Sequence, residues 1–158
     1  MCTVVQSGRK WGITMFMGEY QHNLDEKSRI VIPSNFRYEL KDNFVIAKGL
    51  EKCLYIFSKS EWDKVVSKLE ELPFTKKDVR IFKRAFFSGA SSVELDKSGR
   101  IVISSNLKEY AKINRECVIV GAGDRIEIWD KDEWNNFMKN YEDKFEDIAE
   151  NLLMDDNL

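Results

Sequence analysis

The chain has 158 residues, 43% of them hydrophobic and 33% charged, which is enough apolar content to bury one core of ordinary size and excludes a disordered chain. A formal net charge of −2 argues on average against a polyanion partner, but the average hides a split. From Asp130 to Leu158 ten acidic residues stand against three basic ones, net −7, which leaves residues 1–129 at +5.

Residues 1–14 contain Arg9 and Lys10 but no apolar run of signal-peptide length, and nothing later approaches a membrane span. They are read as a flexible extension, and the chain is expected to be cytoplasmic, without a membrane partner. Phe16-Met17-Gly18 then opens a strand that leads into Leu24-Asp25-Glu26-Lys27-Ser28-Arg29, and Arg29-Ile30-Val31-Ile32 reads as a short β-branched strand. Pro33 to Leu40 predicts a short helix. Phe44-Val45-Ile46-Ala47 and Tyr55-Ile56-Phe57 predict a hairpin around Lys48-Gly49-Leu50-Glu51-Lys52.

A helix from Ser60 to Leu72 follows, with Ser60 as N-cap, Trp62, Val65, Val66 and Leu69 at helical spacing, and Pro73 beyond its end. Lys76 to Phe87 predicts a connecting helix. Phe87-Ser88-Gly89 opens a second series: Leu95-Asp96-Lys97-Ser98-Gly99-Arg100, the strand Arg100-Ile101-Val102-Ile103, a helix from Ser104 to Ala111, and strands at Val118-Ile119-Val120 and Ile126-Glu127-Ile128-Trp129. Gly121-Ala122-Gly123-Asp124 is the expected hairpin turn. One continuous helix from about Lys131 to Leu153 is predicted to close the chain, with Trp134, Phe137, Met138, Tyr141, Phe145, Ile148 and Leu152 as a stripe that packs on the chain's own body or on a neighbouring subunit.

The two series are the same text written twice, down to Ser34-Asn35-Phe36 against Ser105-Asn106-Leu107 and Glu61-Trp62 against Glu133-Trp134. A unit this short cannot bury its apolar face alone, so two copies imply one pseudo-symmetric body with two equivalent surfaces. The expected boundaries are a first repeat at 15–85, a second at 86–147 and an acidic tail at 148–158. Cys2, Cys53 and Cys117 lie far apart without CxxC spacing, and the chain's one histidine is His22. Structural thiols in a reducing compartment, no metal and no cofactor are therefore expected.

The repeated Asp-x-x-x-Arg admits two readings. Asp25 and Asp96 can accept backbone N–H bonds in a tight turn, with Gly99 suited to a positive φ, and Arg29 and Arg100 would then simply pair with those aspartates. Alternatively, the planar guanidinium suits guanine edges and phosphates. Arg29 and Arg100 would then form one polyanion-binding rim with Lys27, Arg37, Lys41, Lys97 and Lys108.

At these residues, Met15 to Pro33 together with Leu95 to Ile103, the chain resembles the MraZ family of bacterial transcriptional regulators, and the similarity runs to about Asp147. The resemblance implies an α+β fold: a pseudo-twofold, AbrB-like barrel of interleaved (swapped) hairpins with a C-terminal helix. It also implies a ring homo-oligomer, an octamer or dodecamer, that binds double-stranded DNA at promoter direct repeats of the division and cell-wall gene cluster and represses it. The family's site residues fall on Asp25, Arg29, Asp96 and Arg100; Ser28 stands where the family commonly has glycine. Nucleoid association follows, with the acidic terminal helix held away from phosphates or at subunit contacts.

A second hypothesis is an antitoxin-like or scaffold module that uses the barrel for assembly and the C-terminal helix for a protein partner. An enzyme is disfavoured: the sequence offers one histidine, no nucleophile elbow and no phosphate loop, hence no expected small-molecule substrate.

Overall fold

The computed structural model describes residues 15–154; the predicted extension 1–14, Cys2 and the last four residues of the acidic tail lie outside them. In chain order the elements are β1 (Phe16–Asn23), β2 (Arg29–Val31), α1 (Ser34–Leu40), β3 (Phe44–Lys48), β4 (Leu54–Ser58), α2 (Lys59–Glu70) and α3 (Lys77–Ser88). The second half runs β5 (Ser91–Val93), β6 (Arg100–Val102), α4 (Ser105–Tyr110), β7 (Glu116–Gly123), β8 (Ile126–Asp130) and α5 (Lys131–Tyr141), then a 3-10 turn (Glu142–Lys144) and α6 (Phe145–Leu153).

Six strands form one antiparallel sheet in the order β1-β7-β8-β4-β3-β5, and β2 and β6 form a separate two-stranded ribbon. The order shows the interleaving directly. Strand β1 of the first half pairs with β7 of the second, from Phe16 opposite Gly123 to Asn23 opposite Glu116, while β5 of the second half pairs with β3 of the first. The β4–β8 pairing at the middle of the sheet and the β2–β6 pairing in the ribbon each join equivalent strands of the two halves. The fold is α+β, as expected, with pseudo-twofold symmetry.

The core lies between ribbon and sheet. Ile30 and Ile32 meet their counterparts Ile101 and Ile103, together with Phe36, Leu107, Phe44, Leu54, Ile119 and Ile128, all but removed from solvent. Phe16 and Tyr20 each set an edge against the Phe36 ring. Strands β3, β4 and β8 are buried on both faces because helices cover their outer side, which is why they read as continuous apolar runs rather than alternating ones. On the first half, Trp62 of α2 stacks on Phe86 of α3 above Phe57; on the second, Trp129 packs against Trp134 and Phe137 of α5. Cys53 and Cys117 are buried, and burial pushes both thiols up, Cys117 to about 12, so they stay protonated at neutral pH.

Three expectations need correction. The cap of α2 is Ser58, whose Oγ accepts the Glu61 N–H at 3.4 Å, because the helix begins two residues earlier than its apolar spacing suggests. Gly121 is strand, not turn. It faces Gly18 across β1–β7, where a Cβ would stand 2.3 Å from Met17 N, and the reversal falls after it, with Ala122 N–H donating to Arg125 O at 2.9 Å. The terminal helix is broken at Glu142–Lys144. The Phe137 and Tyr141 end follows the body, whereas Phe145, Ile148 and Leu152 on α6 are exposed in the single chain, so of the two surfaces expected for the stripe the chain's own body covers only the first part.

The ribbon separates an inner face from an outer one. Ile101→Ala, which empties space in the core, should therefore cost about 2–5 kcal/mol in urea unfolding, and Val102→Ala, one residue along on the outer face, less than about 0.5 kcal/mol. Equal costs would contradict this placement.

Candidate nucleic-acid interface

The two motifs fold into the same turn. In the first, Asp25 C=O accepts the Ser28 N–H at 3.0 Å and the Asp25 N–H donates to Arg29 O at 3.0 Å; in the second, Asp96 and its partners Gly99 and Arg100 do the same at 3.0 and 2.9 Å. Asp25 Oδ1 accepts the backbone N–H groups of Lys27 and Arg29, and Asp96 Oδ1 those of Ser98 and Arg100, each at 2.9 Å. Aspartate suits this position because a short, acceptor-only side chain can take two amides of its own turn. The other carboxylate oxygen holds the arginine: Arg29 Nε lies 2.6 Å from Asp25 Oδ2, and Arg100 Nε 2.9 Å from Asp96 Oδ2.

Each turn ends on a residue at positive φ, +60° for Ser28 and +75° for Gly99. The carbonyls of these two residues accept from the opposite half: Ile103 N–H donates to Ser28 O and Ile32 N–H to Gly99 O, both at 2.9 Å. These bonds extend the β2–β6 ribbon and fix the two turns to each other. Because side chains alternate along a strand, Ile30 and Ile101 point to the core while Arg29, Val31, Arg100 and Val102 share the outer face. Val102 is 59% exposed there, against 1% for Ile101.

The guanidiniums converge. Arg100 Nη1 comes within 3.6 Å of Asp25 Oδ2, the same oxygen that holds Arg29 Nε. The side chains of Arg29 and Arg100 retain 28% and 29% exposure, so pairing with aspartate and access to solvent coexist. Both carboxyls are held below the usual range, first by the backbone N–H of the motif arginine, against an opposing effect of desolvation, and further by that arginine's side chain.

Of the remaining expected site residues, Lys27 and Lys97 are exposed, though at non-equivalent turn positions. Arg37 is not a free rim cation. Its Nη1 donates to Ile32 O at 2.8 Å and lies against Gly99, where a Cβ would stand 2.1 Å from that nitrogen. Lys108, its counterpart on α4, donates to Ser28 Oγ at 2.6 Å. Each half thus braces the other half's turn, and the Ser28 departure has a physical reason. A glycine gives the long Arg37 room at one turn, while at the other a serine hydroxyl meets the shorter reach of lysine. The left-handed backbone at Ser28, a strain of roughly 1 kcal/mol, is offset by a hydrogen bond of about the same size. Lys41 is exposed at the end of α1.

The residue reading missed Asn114 and Arg115. With Leu24, Lys108 and the first turn they line a groove of about 580 Å³, and Arg115 O accepts the Leu24 N–H at 2.8 Å. They arrive from the far half of the chain, outside the repeated string, so no local signal marked them. Among the described residues no group of three or more potential metal ligands occurs, and no helix is long and apolar enough to cross a membrane.

An interleaved, duplicated α+β body carrying twofold-related Asp-x-x-x-Arg turns on an outward ribbon defines a class of protein. A family model described as "MraZ protein, putative antitoxin-like" matches the chain twice, at residues 15–85 and 86–156. The chain belongs to the MraZ family, whose role is of the transcription-regulator type.

Two outcomes follow from the turn geometry. Carboxyls depressed in the folded state contribute stability that is present above the ordinary value of 3.8 and is lost as pH falls through the folded value. The urea midpoint should therefore drop on acidification below about pH 4, and the drop should shrink in the Asp25→Asn/Asp96→Asn variant. Gly99→Ala should destabilise by about 1 kcal/mol or more, because it meets both the positive φ and the Arg37 guanidinium; an unchanged midpoint would contradict the brace.

Proposed function

We propose that this protein is a sequence-specific DNA-binding regulator, acting as a repressor, whose ribbon enters the major groove of promoter direct repeats. The observation that carries the proposal is the pair of converging, partly exposed guanidiniums on one face of a two-stranded antiparallel ribbon. Such a ribbon fits the width of the B-DNA major groove, and arginine is the side chain best shaped for the two acceptors on a guanine edge.

The division of labour follows from the contacts. Asp25 and Asp96 hold Nε of their arginines, which orients each planar fork, and Arg100 Nη1 also leans toward Asp25, so the donors turned to base edges are chiefly the terminal nitrogens of Arg29 and the second terminal nitrogen of Arg100. For the terminal nitrogens of Arg29 no partner is seen among the described residues. Arg37 and Lys108 act one step back, as braces of the turns, while exposed Lys27 and Lys97 meet phosphates. Arg115 and Asn114, in the groove beside the first turn, join the phosphate contacts.

A body of about +5 holds duplex only weakly and salt-sensitively. Affinity in this proposal comes from assembly: several ribbons on one homo-oligomeric ring meet repeated sites and gain by effective concentration. Ring, direct repeats, the division and cell-wall cluster as target and nucleoid location all belong to this proposal. The antitoxin-like wording of the family description favours a second reading, a module that sequesters a protein partner; a stoichiometric co-purifying protein without a promoter shift would select it.

Arg29→Ala/Arg100→Ala should lower specific promoter affinity by about 1–3 kcal/mol per arginine-base contact at fixed salt, leaving oligomer mass unchanged. Lys27→Ala/Lys97→Ala should weaken binding to all sequences alike and reduce the salt slope by about one per lost phosphate contact. Unaltered specific affinity of intact assemblies carrying the arginine variant would refute the proposal.

A further inference from the structure

The outer face of the ribbon holds four side chains in two rows, Arg29 directly opposite Val102 and Val31 directly opposite Arg100. Directly opposite residues of an antiparallel pair have Cβ atoms about 4.5–5.5 Å apart, so each arginine starts out beside a valine. The rows are unequal. Val31 is half-buried and Arg100 Nη1 leans toward Asp25 Oδ2, whereas Val102 is exposed and the terminal nitrogens of Arg29 have no partner among the described residues.

An exposed valine is ordinary on a protein surface. One set across from an open guanidinium, on the face turned away from the core, stands where an apolar group adds to what the arginine recognises. The fold does not require it there. The core is filled by its neighbours Ile101 and Ile103, and threonine, equally branched at Cβ, would serve a solvated strand position while offering water a hydroxyl. What valine supplies instead is a purely apolar tip, which gains free energy only when a partner takes it out of water.

In the major groove a base edge offers one apolar group, the C5 methyl of thymine; cytosine carries the same group only when methylated at that carbon. Guanine presents its N7 and O6 acceptors in the same groove. We propose that Val102 is a specificity-determining residue that packs against a pyrimidine C5 methyl, of thymine or of 5-methylcytosine, within one base-pair step of the guanine bound by Arg29. This inference rests on the major-groove reading above and extends it. The arginine selects a guanine and leaves the neighbouring base unread; the valine opposite selects that neighbour by its methyl group.

Base-analogue substitution separates the two contacts. Promoter duplexes carry 7-deazaguanine, which lacks the N7 acceptor, in place of single guanines, or deoxyuridine, which lacks only the C5 methyl, in place of single thymines. Affinity of the full chain is read by fluorescence anisotropy at fixed salt. With wild type, uracil should weaken binding on the order of 4-fold per methyl removed, at a thymine adjacent to a guanine whose deaza analogue also weakens binding. In Val102→Ala the uracil effect at that position should vanish while the deazaguanine effect stays, and Val102→Ile, which keeps both γ carbons, should restore it. An unchanged urea midpoint and oligomer mass for Val102→Ala would show that discrimination, not folding, has been lost.

Cytosine compared with 5-methylcytosine beside the same guanine identifies the source of the methyl: tighter binding of the methylated duplex that Val102→Ala abolishes, without any uracil effect, assigns the contact to the modified base. A methyl effect of equal size in wild type and Val102→Ala would overturn Val102 as its reader. Deazaguanine sensitivity with no methyl effect at any neighbouring pyrimidine would overturn the methyl contact and leave the arginine reading standing, whereas insensitivity to every analogue would remove the major-groove reading and the methyl contact together.

Discussion

The structure depends on the mutual registration of its two halves along β2 and β6. Ile30 lies opposite Ile101, and the carbonyls of Ser28 and Gly99 accept the amides of Ile103 and Ile32, so neither turn has its final geometry without the other half. The same strand pairing that buries four isoleucines on one face sets two arginines on the opposite face. Core and reading surface are two sides of one ribbon, and disturbing the inner side disturbs the outer.

Interleaving makes this registration robust. With β1 carried over to β7 and β5 to β3, opening one half from the other would expose ladder groups at both edges of the six-stranded sheet as well as the core. The aspartates then act locally. Each uses one oxygen to finish its turn and the other to hold an arginine, and Asp25 also attracts Arg100 from the second motif. A guanidinium held in this way has lost part of its conformational freedom before a partner arrives, which favours recognition over flexible charge.

Much of this was legible in the residues. The duplicated string, the β-branched strands and the α+β class follow from periodicity and the repeat, because the inner and outer faces of the ribbon impose different chemistry on neighbouring positions. Arg37 was not legible as a brace, since its partners at Gly99 and Ile32 are set by the cross-half pairing. Asn114 and Arg115 were hidden for the same reason. The continuous terminal helix was over-read: its apolar spacing runs through Glu142–Lys144 without a break, but the body that α5 packs on ends there, and α6 continues with its stripe uncovered.

The most direct measurement is photo-crosslinking of the assembled protein to a promoter duplex containing 5-bromouracil, with the crosslinked peptides mapped by mass spectrometry. Crosslinks should fall within residues 25–31 and 96–102, the two turns and their ribbon strands. Crosslinks confined to the helices, with both turns unmodified in a specific complex, would contradict the account.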